Sequence, residues 1–204
     1  MIHSDSYKTI LKPSAEIIFK DKGSKFLGYA YPILYEEQVK EIIVSLKERH
    51  HKARHWCYAW KLGLEAHRMR YRVNDDGEPN NSAGQPIYGQ IVSKELTNIL
   101  VVVVRYFGGT KLGMSGLINA YKTAAEMAIS ASKLVERTIE TTYQLNFEYK
   151  DLNKVMRVIK EEQLKIIDQK MGVACEILVS IRKNDTKRVK IIFENLHNLQ
   201  LIEV

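Results

Sequence analysis

The stretch NILVVVVRYFGGTKLGMSGLINAYK, residues 98–122, decides the fold. Its apolar run, residues 99–104, is too short to cross a membrane and too rich in β-branched residues to favour a helix. We therefore predict a strand that is buried on both faces. From about Ser115 onward, small and apolar residues recur at three- and four-residue steps, which predicts a helix.

The connection between this strand and this helix is rich in glycine and has two cations beside it. The free N–H groups of a helix's first turn, together with the helix dipole, favour a negative charge by roughly 0.3–1 kcal/mol. We predict an anion site here, formed by Arg105, Gly108, Gly109, Lys111, Gly113, Ser115 and Gly116. The alternative is that the glycines only shape a tight connection.

Composition is that of a soluble globular protein, and 204 residues suffice for one large domain or two small ones. The net charge of +7 is unevenly placed, because residues 1–137 hold 20 Lys and Arg against 14 Asp and Glu, whereas residues 138–204 hold 11 against 10. A basic surplus suits nucleic acid or another polyanion. The two cysteines have no zinc or redox spacing, and we expect no metal and no cofactor. With no secretory signal and no transmembrane run, we expect a cytoplasmic protein without a membrane partner.

The first part of the chain alternates strand and helix signals. We predict a hairpin of residues 15–20 and 25–31, an amphipathic helix over 36–50, strands over 55–62 and 67–73, and a polar loop over 74–84.

The remainder follows the order βαββαβ, which is the ferredoxin-like arrangement of an antiparallel sheet with two helices on one side. We predict strands at 142–149, 165–169, 175–182 and 199–204, and helices at 151–163 and 186–195. We expect a protein of the α+β class that divides into domains of residues 1–137 and 138–204.

Three arginines alternate along the strand predicted at 67–73, so Arg68, Arg70 and Arg72 face the same way about 7 Å apart. They are suited to follow a phosphate backbone, with the aromatic side chains of Trp56, Tyr58 or Trp60 on the neighbouring strand as stacking platforms. The alternative is a solvated strand face.

The turn after this strand packs the carboxylates Asp75, Asp76 and Glu78 into four positions. They are candidates for holding a divalent ion or for acid and base catalysis. The alternative is a turn whose Asp and Asn side chains cap the backbone. We interpret the nearby His51 and His55 as structural, since the preceding helix ends too early for them to share a face. No nucleophile elbow, P-loop or dinucleotide signature is present.

Five motifs taken together resemble the YigZ/IMPACT family. They are SKFLG at 24–28, HWCYA at 55–59, NDDGEP at 74–79, AGQPI at 83–87 and VVRYFGGTKLG at 103–113. The family-motif residues around the acidic turn are Asn74, Asp75, Asp76, Gly77, Glu78, Pro79, Gly84, Gln85 and Pro86. The resemblance implies an N-terminal β-sheet with helices on one face, similar to the left-handed βαβ domains of a ribosomal small-subunit protein and of elongation factor G, and a small ferredoxin-like C-terminal domain.

The chain departs from the family pattern at two places. Asn80 and Asn81 replace the usual serine and glycine of GEPSGTAG, and in the helix Ser115 replaces a glycine and Asn119 a basic residue. The change at Asn119 weakens a phosphate-holding role for that helix. Eukaryotic IMPACT proteins restrain a translation-initiation-factor kinase by competing for its ribosome-associated activator, and they carry an additional N-terminal domain. The resemblance implies translation-related binding here.

The leading hypothesis is a protein that binds RNA or the ribosome and acts in translation. The second is an enzyme for a phosphorylated or acidic small molecule, with Asp75, Asp76 and Glu78 facing the glycine loop across a cleft. The third is a protein-interaction module in translational control. A narrow pocket shared by the acidic turn and the glycine loop favours the enzyme, whereas a broad basic face favours nucleic acid.

Overall fold

The computed structural model describes residues 5–64 and 68–204. The chain divides into two compact units, one of residues 7–137 and one that combines residues 138–204 with Asp5 and Ser6. Both units mix helices and sheets, so the expected α+β class is confirmed. Within the described residues, no helix has the length and apolar character needed to cross a membrane.

The larger unit is built around a five-stranded sheet with the order β2-β3-β6-β4-β5. Its elements are β1 (Ser6–Ile10), β2 (Ile17–Asp21), β3 (Ser24–Pro32), α1 (Glu37–Arg49), β4 (His55–Leu62), β5 (Arg70–Asn74), α2 (Gly84–Ser93), β6 (Ile99–Tyr106), α3 (Gly113–Ser130) and β7 (Leu134–Thr138). Neighbouring strands of this sheet run antiparallel. Since β3 and β4 both pair with β6, they run parallel to each other, and α1 connects them.

The central strand β6 is buried on both faces, as its sequence predicts. Val101 and Val103 pack with α2 and α3 on one face, whereas Val102 and Val104 pack with α1 on the other. Helices therefore cover both faces of the sheet, and not one face as the family resemblance implied. The physical reason lies in β6 itself, because an apolar side chain at every position needs cover on both sides.

Local sequence explains the predicted β2–β3 hairpin, and it is also compatible with α2, a helix that the sequence analysis does not predict. Asp21 pairs with Ser24, and the two turn residues Lys22 and Gly23 have φ of 42° and 80°, as a two-residue hairpin turn requires. The strand predicted at 67–73 begins only at Arg70, and its first predicted residue, His67, lies outside the described residues. Helix α2 follows the polar loop directly, with its proline in the first turn where proline is tolerated.

The smaller unit has the ferredoxin-like sheet order β11-β8-β10-β9, which confirms the predicted βαββαβ pattern. Its elements are β8 (Glu140–Glu148), α4 (Leu152–Glu161), β9 (Lys165–Lys170), β10 (Ala174–Arg182), α5 (Thr186–Glu194) and β11 (Gln200–Glu203). Alternate residues of β8 and β10, such as Leu145 and Ile177, pack with Val155 of α4 and Phe193 of α5 in one core.

Candidate functional site

The acidic turn and the glycine-rich loop line the same pocket, which has a volume of about 440 Å³. The turn after β5 contributes Glu78 and Pro79, the first residue of β4 contributes His55, and the end of β6 contributes Arg105. The glycine loop and the start of α3 supply the remaining lining residues, Phe107, Lys111, Leu112, Gly113, Met114 and Leu117.

A buried ion pair forms the floor of this pocket. Nη1 of Arg105 donates a 2.6 Å hydrogen bond to Oε1 of Glu78, which also accepts one of 2.8 Å from the hydroxyl of Tyr121. The guanidinium lies over the rings of Phe26 and Phe107, at 5.4 and 5.5 Å from their centroids. The charge of Arg105 is therefore balanced inside the protein, although the sequence argument assigned it to the anion.

Three glycines of the loop have structural roles. A Cβ on Gly108 would lie 1.9 Å from the carbonyl carbon of Gly23 in the β2–β3 turn, so only glycine permits this approach. Gly109 and Gly113 have φ of 90° and 74°, a conformation that side-chain-bearing residues rarely adopt. This supports the alternative in which these glycines shape the connection.

Lys111 is the exposed cation of the pocket lining. It makes no hydrogen bond or ion pair with any of the residues that the structure describes. Helix α3 begins two residues later, and its N-cap residue Leu112 provides no side-chain hydrogen bond to the first turn, where Ser115 and Gly116 lie. Lys111, Gly113 and Met114 line the pocket, whereas Ser115 and Gly116 are not among its lining residues. A cation and the start of an uncapped helix in one pocket are what an anion site requires.

His55 is held in one orientation by the acidic turn. Its Nδ1 lies 2.8 Å from the carbonyl oxygen of Asp76, and because a carbonyl only accepts, Nδ1 carries a proton. Its Nε2 lies 3.8 Å from Oε1 of Glu78. The sequence alone indicates a structural role for His55. Its position at the start of a strand that precedes the acidic turn was the signal that could have found it.

Of the three carboxylates in the turn, only Glu78 lines the pocket. Asp75 accepts hydrogen bonds from the backbone N–H groups of Ala83, the N-cap residue of α2, and Gly84, its first residue. Asp76 accepts one from the N–H of Trp56. These two side chains bind backbone N–H groups and shape the turn, as the alternative of a backbone-capping turn predicts. The prediction that all three carboxylates face the glycine loop across a cleft is therefore wrong for Asp75 and Asp76. Among the described residues, no group of three His, Cys, Asp or Glu comes together to hold a metal ion.

Cys57 lies in the core next to Tyr121, whose hydroxyl donates to Glu78. Its thiol donates to the carbonyl of Asp75, and Sγ lies 3.3 Å from the hydroxyl of Tyr121. Burial raises the pKa of both Cys57 and Tyr121. Burial therefore favours the protonated thiol and the protonated phenol at neutral pH.

The arginine face is smaller than predicted. Arg70 and Arg72 lie on β5, and they pair with Leu62 and Trp60 of β4, which pack in one cluster with residues of α1. The Nη1 atoms of the two arginines lie 3.8 and 4.0 Å from the Glu36 carboxylate. Arg68 precedes the strand. Of the proposed stacking platforms, Trp60 is buried in the core.

A family model described as "Impact N-terminal domain" matches residues 22–129. The protein "IMPACT family member YvyE" of Bacillus subtilis is 32% identical over 187 residues, which cover 91% of this chain and 84% of that protein. A solved structure of a hypothetical protein is 27% identical and covers 98% of both chains with a TM-score of 0.73. A structure of Yih1, described as a two-domain translational regulator, is 28% identical over 59% of this chain and 46% of that chain, with a TM-score of 0.40.

Proposed function

The chain belongs to the IMPACT family, and on this premise we propose that it acts in the regulation of translation by binding RNA at the pocket beside Lys111. The link to translation comes from the family resemblance. The choice of RNA comes from a cation without a described partner and an exposed aromatic ring that line one pocket.

One observation carries the proposal, namely that an unpaired cation and an exposed aromatic ring line the same pocket. Lys111 has no partner among the described residues, and Phe107 leaves 49% of its surface exposed. A phosphate next to the ammonium group and the first-turn N–H groups of α3 places a base within reach of the ring. Cations that follow a backbone and aromatic rings that stack on bases are the two parts of a single-strand binding site.

The charge distribution supports the same reading. The basic surplus lies in residues 1–137, which contain the pocket. Because Glu78 balances Arg105, the pocket depends on Lys111 for its positive charge. Removing that one side chain is therefore the most direct test.

The experiment measures the affinity of a fluorescently labelled single-stranded RNA across a salt series. Lys111→Ala is compared with the wild type and with Lys40→Ala, which removes the same charge from an exposed position on α1. Loss of one phosphate contact lowers the slope of log affinity against log salt by about 0.7. We expect this loss in Lys111→Ala only. Equal slopes in the two variants would contradict the proposal, as would the absence of RNA binding by the wild type. Co-sedimentation with ribosomes in the same salt series then tests whether the RNA is ribosomal.

The shared pocket also favours a second candidate, an enzyme acting on a phosphorylated small molecule. Glu78 and His55 provide a carboxylate and an imidazole beside the cation. Incubation with nucleotides and sugar phosphates, followed by a phosphate-release assay, distinguishes the two. Turnover that disappears in both Lys111→Ala and His55→Asn supports the enzyme, and binding without turnover leaves the RNA-binding function.

A further inference from the structure

We propose that Glu78 and His55 form a subsite that accepts a hydrogen bond from a ribose 2′-hydroxyl, so that the pocket selects RNA over DNA. This inference rests on the proposed function, because it names what the same pocket recognises in its ligand.

One oxygen of the Glu78 carboxylate has no donor among the described residues. Both hydrogen bonds from Arg105 and Tyr121 go to Oε1, and no described residue donates to Oε2. The side chain is only 4% exposed, and the residue lines the pocket. The ion pair with Arg105 fixes the orientation of the carboxylate. Oε2 is thus an acceptor without a described donor, on a residue that lines the pocket.

The second argument concerns the orientation of His55. Because Nδ1 donates to the carbonyl of Asp76, this contact selects the tautomer with the proton on Nδ1 and the lone pair on Nε2. Nε2 and Oε1 of Glu78 are 3.8 Å apart, too far for a direct hydrogen bond. His55 and Glu78 both line the pocket, so Nε2 of His55 and Oε2 of Glu78 are two acceptors there, and the single hydrogen of a ligand O–H group donates to one of them.

A cation lines the same pocket as these acceptors, since Lys111 and the start of α3 belong to the lining of this cavity of about 440 Å³. The ligand must therefore carry a hydroxyl donor close to a phosphate. In RNA every 2′-hydroxyl is adjacent to a 3′-phosphate, whereas DNA has no donor at that position. Leaving a buried acceptor without its donor costs enough free energy to predict RNA affinity roughly tenfold or more above that for DNA.

The test compares one short single-stranded sequence in three chemical forms, namely RNA, DNA and 2′-O-methyl RNA. The methylated form keeps the ribose oxygen but has no hydrogen to donate, so it should bind the wild type as weakly as DNA. This comparison needs no variant and remains decisive if a variant fails to fold. Equal affinity of the wild type for all three forms would overturn the subsite while leaving RNA binding intact.

Two variants assign the selectivity to a side chain. His55→Asn retains a donor near the Asp76 carbonyl and deletes the Nε2 acceptor, so we expect RNA affinity to fall toward that for DNA with DNA affinity unchanged. Lys111→Ala is the control, since a lost phosphate contact weakens RNA and DNA alike and preserves their ratio. An unchanged RNA-to-DNA ratio in His55→Asn would overturn the role of His55. Failure of the wild type to bind any of the three forms would overturn both this inference and the proposed function.

Discussion

Arg105 at the end of β6 and Glu78 in the turn after β5 form an ion pair of 2.6 Å, with side chains that are 6% and 4% exposed. Strand β4 lies between β6 and β5 in the sheet, so this pair fastens the acidic turn across the end of β4. Of the pocket-lining cations Arg105 and Lys111, Lys111 is thus the one without a partner among the described residues.

Breaking this pair from one side should destabilise the protein strongly. Arg105→Leu leaves the Glu78 carboxylate buried without its cation, and we expect a loss of about 3–5 kcal/mol in the free energy of unfolding, measured with urea. The double variant Arg105→Leu, Glu78→Leu removes both charges and should regain part of that loss. Additive effects of the two single substitutions would show that the charges are not coupled.

Backbone conformation at Gly109 gives a prediction with a matched control. Its φ of 90° is unfavourable for alanine although no atom lies near the added Cβ, so Gly109→Ala should cost about 1–2 kcal/mol. Gly89 lies inside α2, also with open space around it, and Gly89→Ala should stabilise the protein by about 0.5–1 kcal/mol. Urea unfolding of both variants checks the signs. A stabilised Gly109→Ala would contradict the account.

The arginines of β5 can be tested separately from the pocket. If Arg70 and Arg72 contact phosphates, the double variant Arg70→Ala, Arg72→Ala should lower the salt slope of RNA binding by about 1.4. Because Glu36 lies near both guanidinium groups, we expect a smaller change than that. A salt series on the double variant measures this change in slope. A reduction by the full 1.4 or so would show that both arginines contact phosphates.

His50 should make stability depend on pH. Burial lowers its pKa from the ordinary value of 6.5, and its ring nitrogens already bond to the hydroxyls of Tyr29 and Tyr106. The Glu16 carboxylate opposes this shift, and the Arg49 guanidinium adds to it. Below pH about 6.5 the unfolded chain takes up a proton that the folded state refuses, so stability falls as pH drops toward the folded pKa.

The comparison for this prediction is between neighbouring histidines. Urea unfolding at pH 7.5 and 5.5 should show a smaller pH effect in His50→Gln than in the wild type. His51 is exposed, and His51→Gln should keep the wild-type effect. An identical pH effect in all three proteins would exclude His50 as its source.

The C-terminal unit should fold by itself. Residues 138–204 contain the whole ferredoxin-like sheet and its own core of alternate β8 and β10 residues beneath α4 and α5. We expect the isolated fragment to show a mixed helix and strand spectrum and a cooperative thermal transition by circular dichroism. A spectrum typical of an unfolded chain would contradict the division into two domains.

Periodicity was enough to predict most elements from sequence. The apolar run of β6, the Lys22-Gly23 turn and the alternation of β8 each express a local rule, in which side-chain pattern and turn conformation depend on near neighbours along the chain. The same rules identify the acidic turn and the glycine loop as candidate functional sites.

Only the tertiary structure decided which of these polar groups face a ligand. Arg105 and Glu78 are 27 residues apart, and their charges balance because the sheet brings the end of β6 next to the turn after β5. In the same way, the Asp76 carbonyl fixes the ring of His55 from 21 residues away. A residue's type and spacing establish what chemistry it can offer. Whether that chemistry is used within the protein or left for a partner depends on contacts that form only when distant segments pack together.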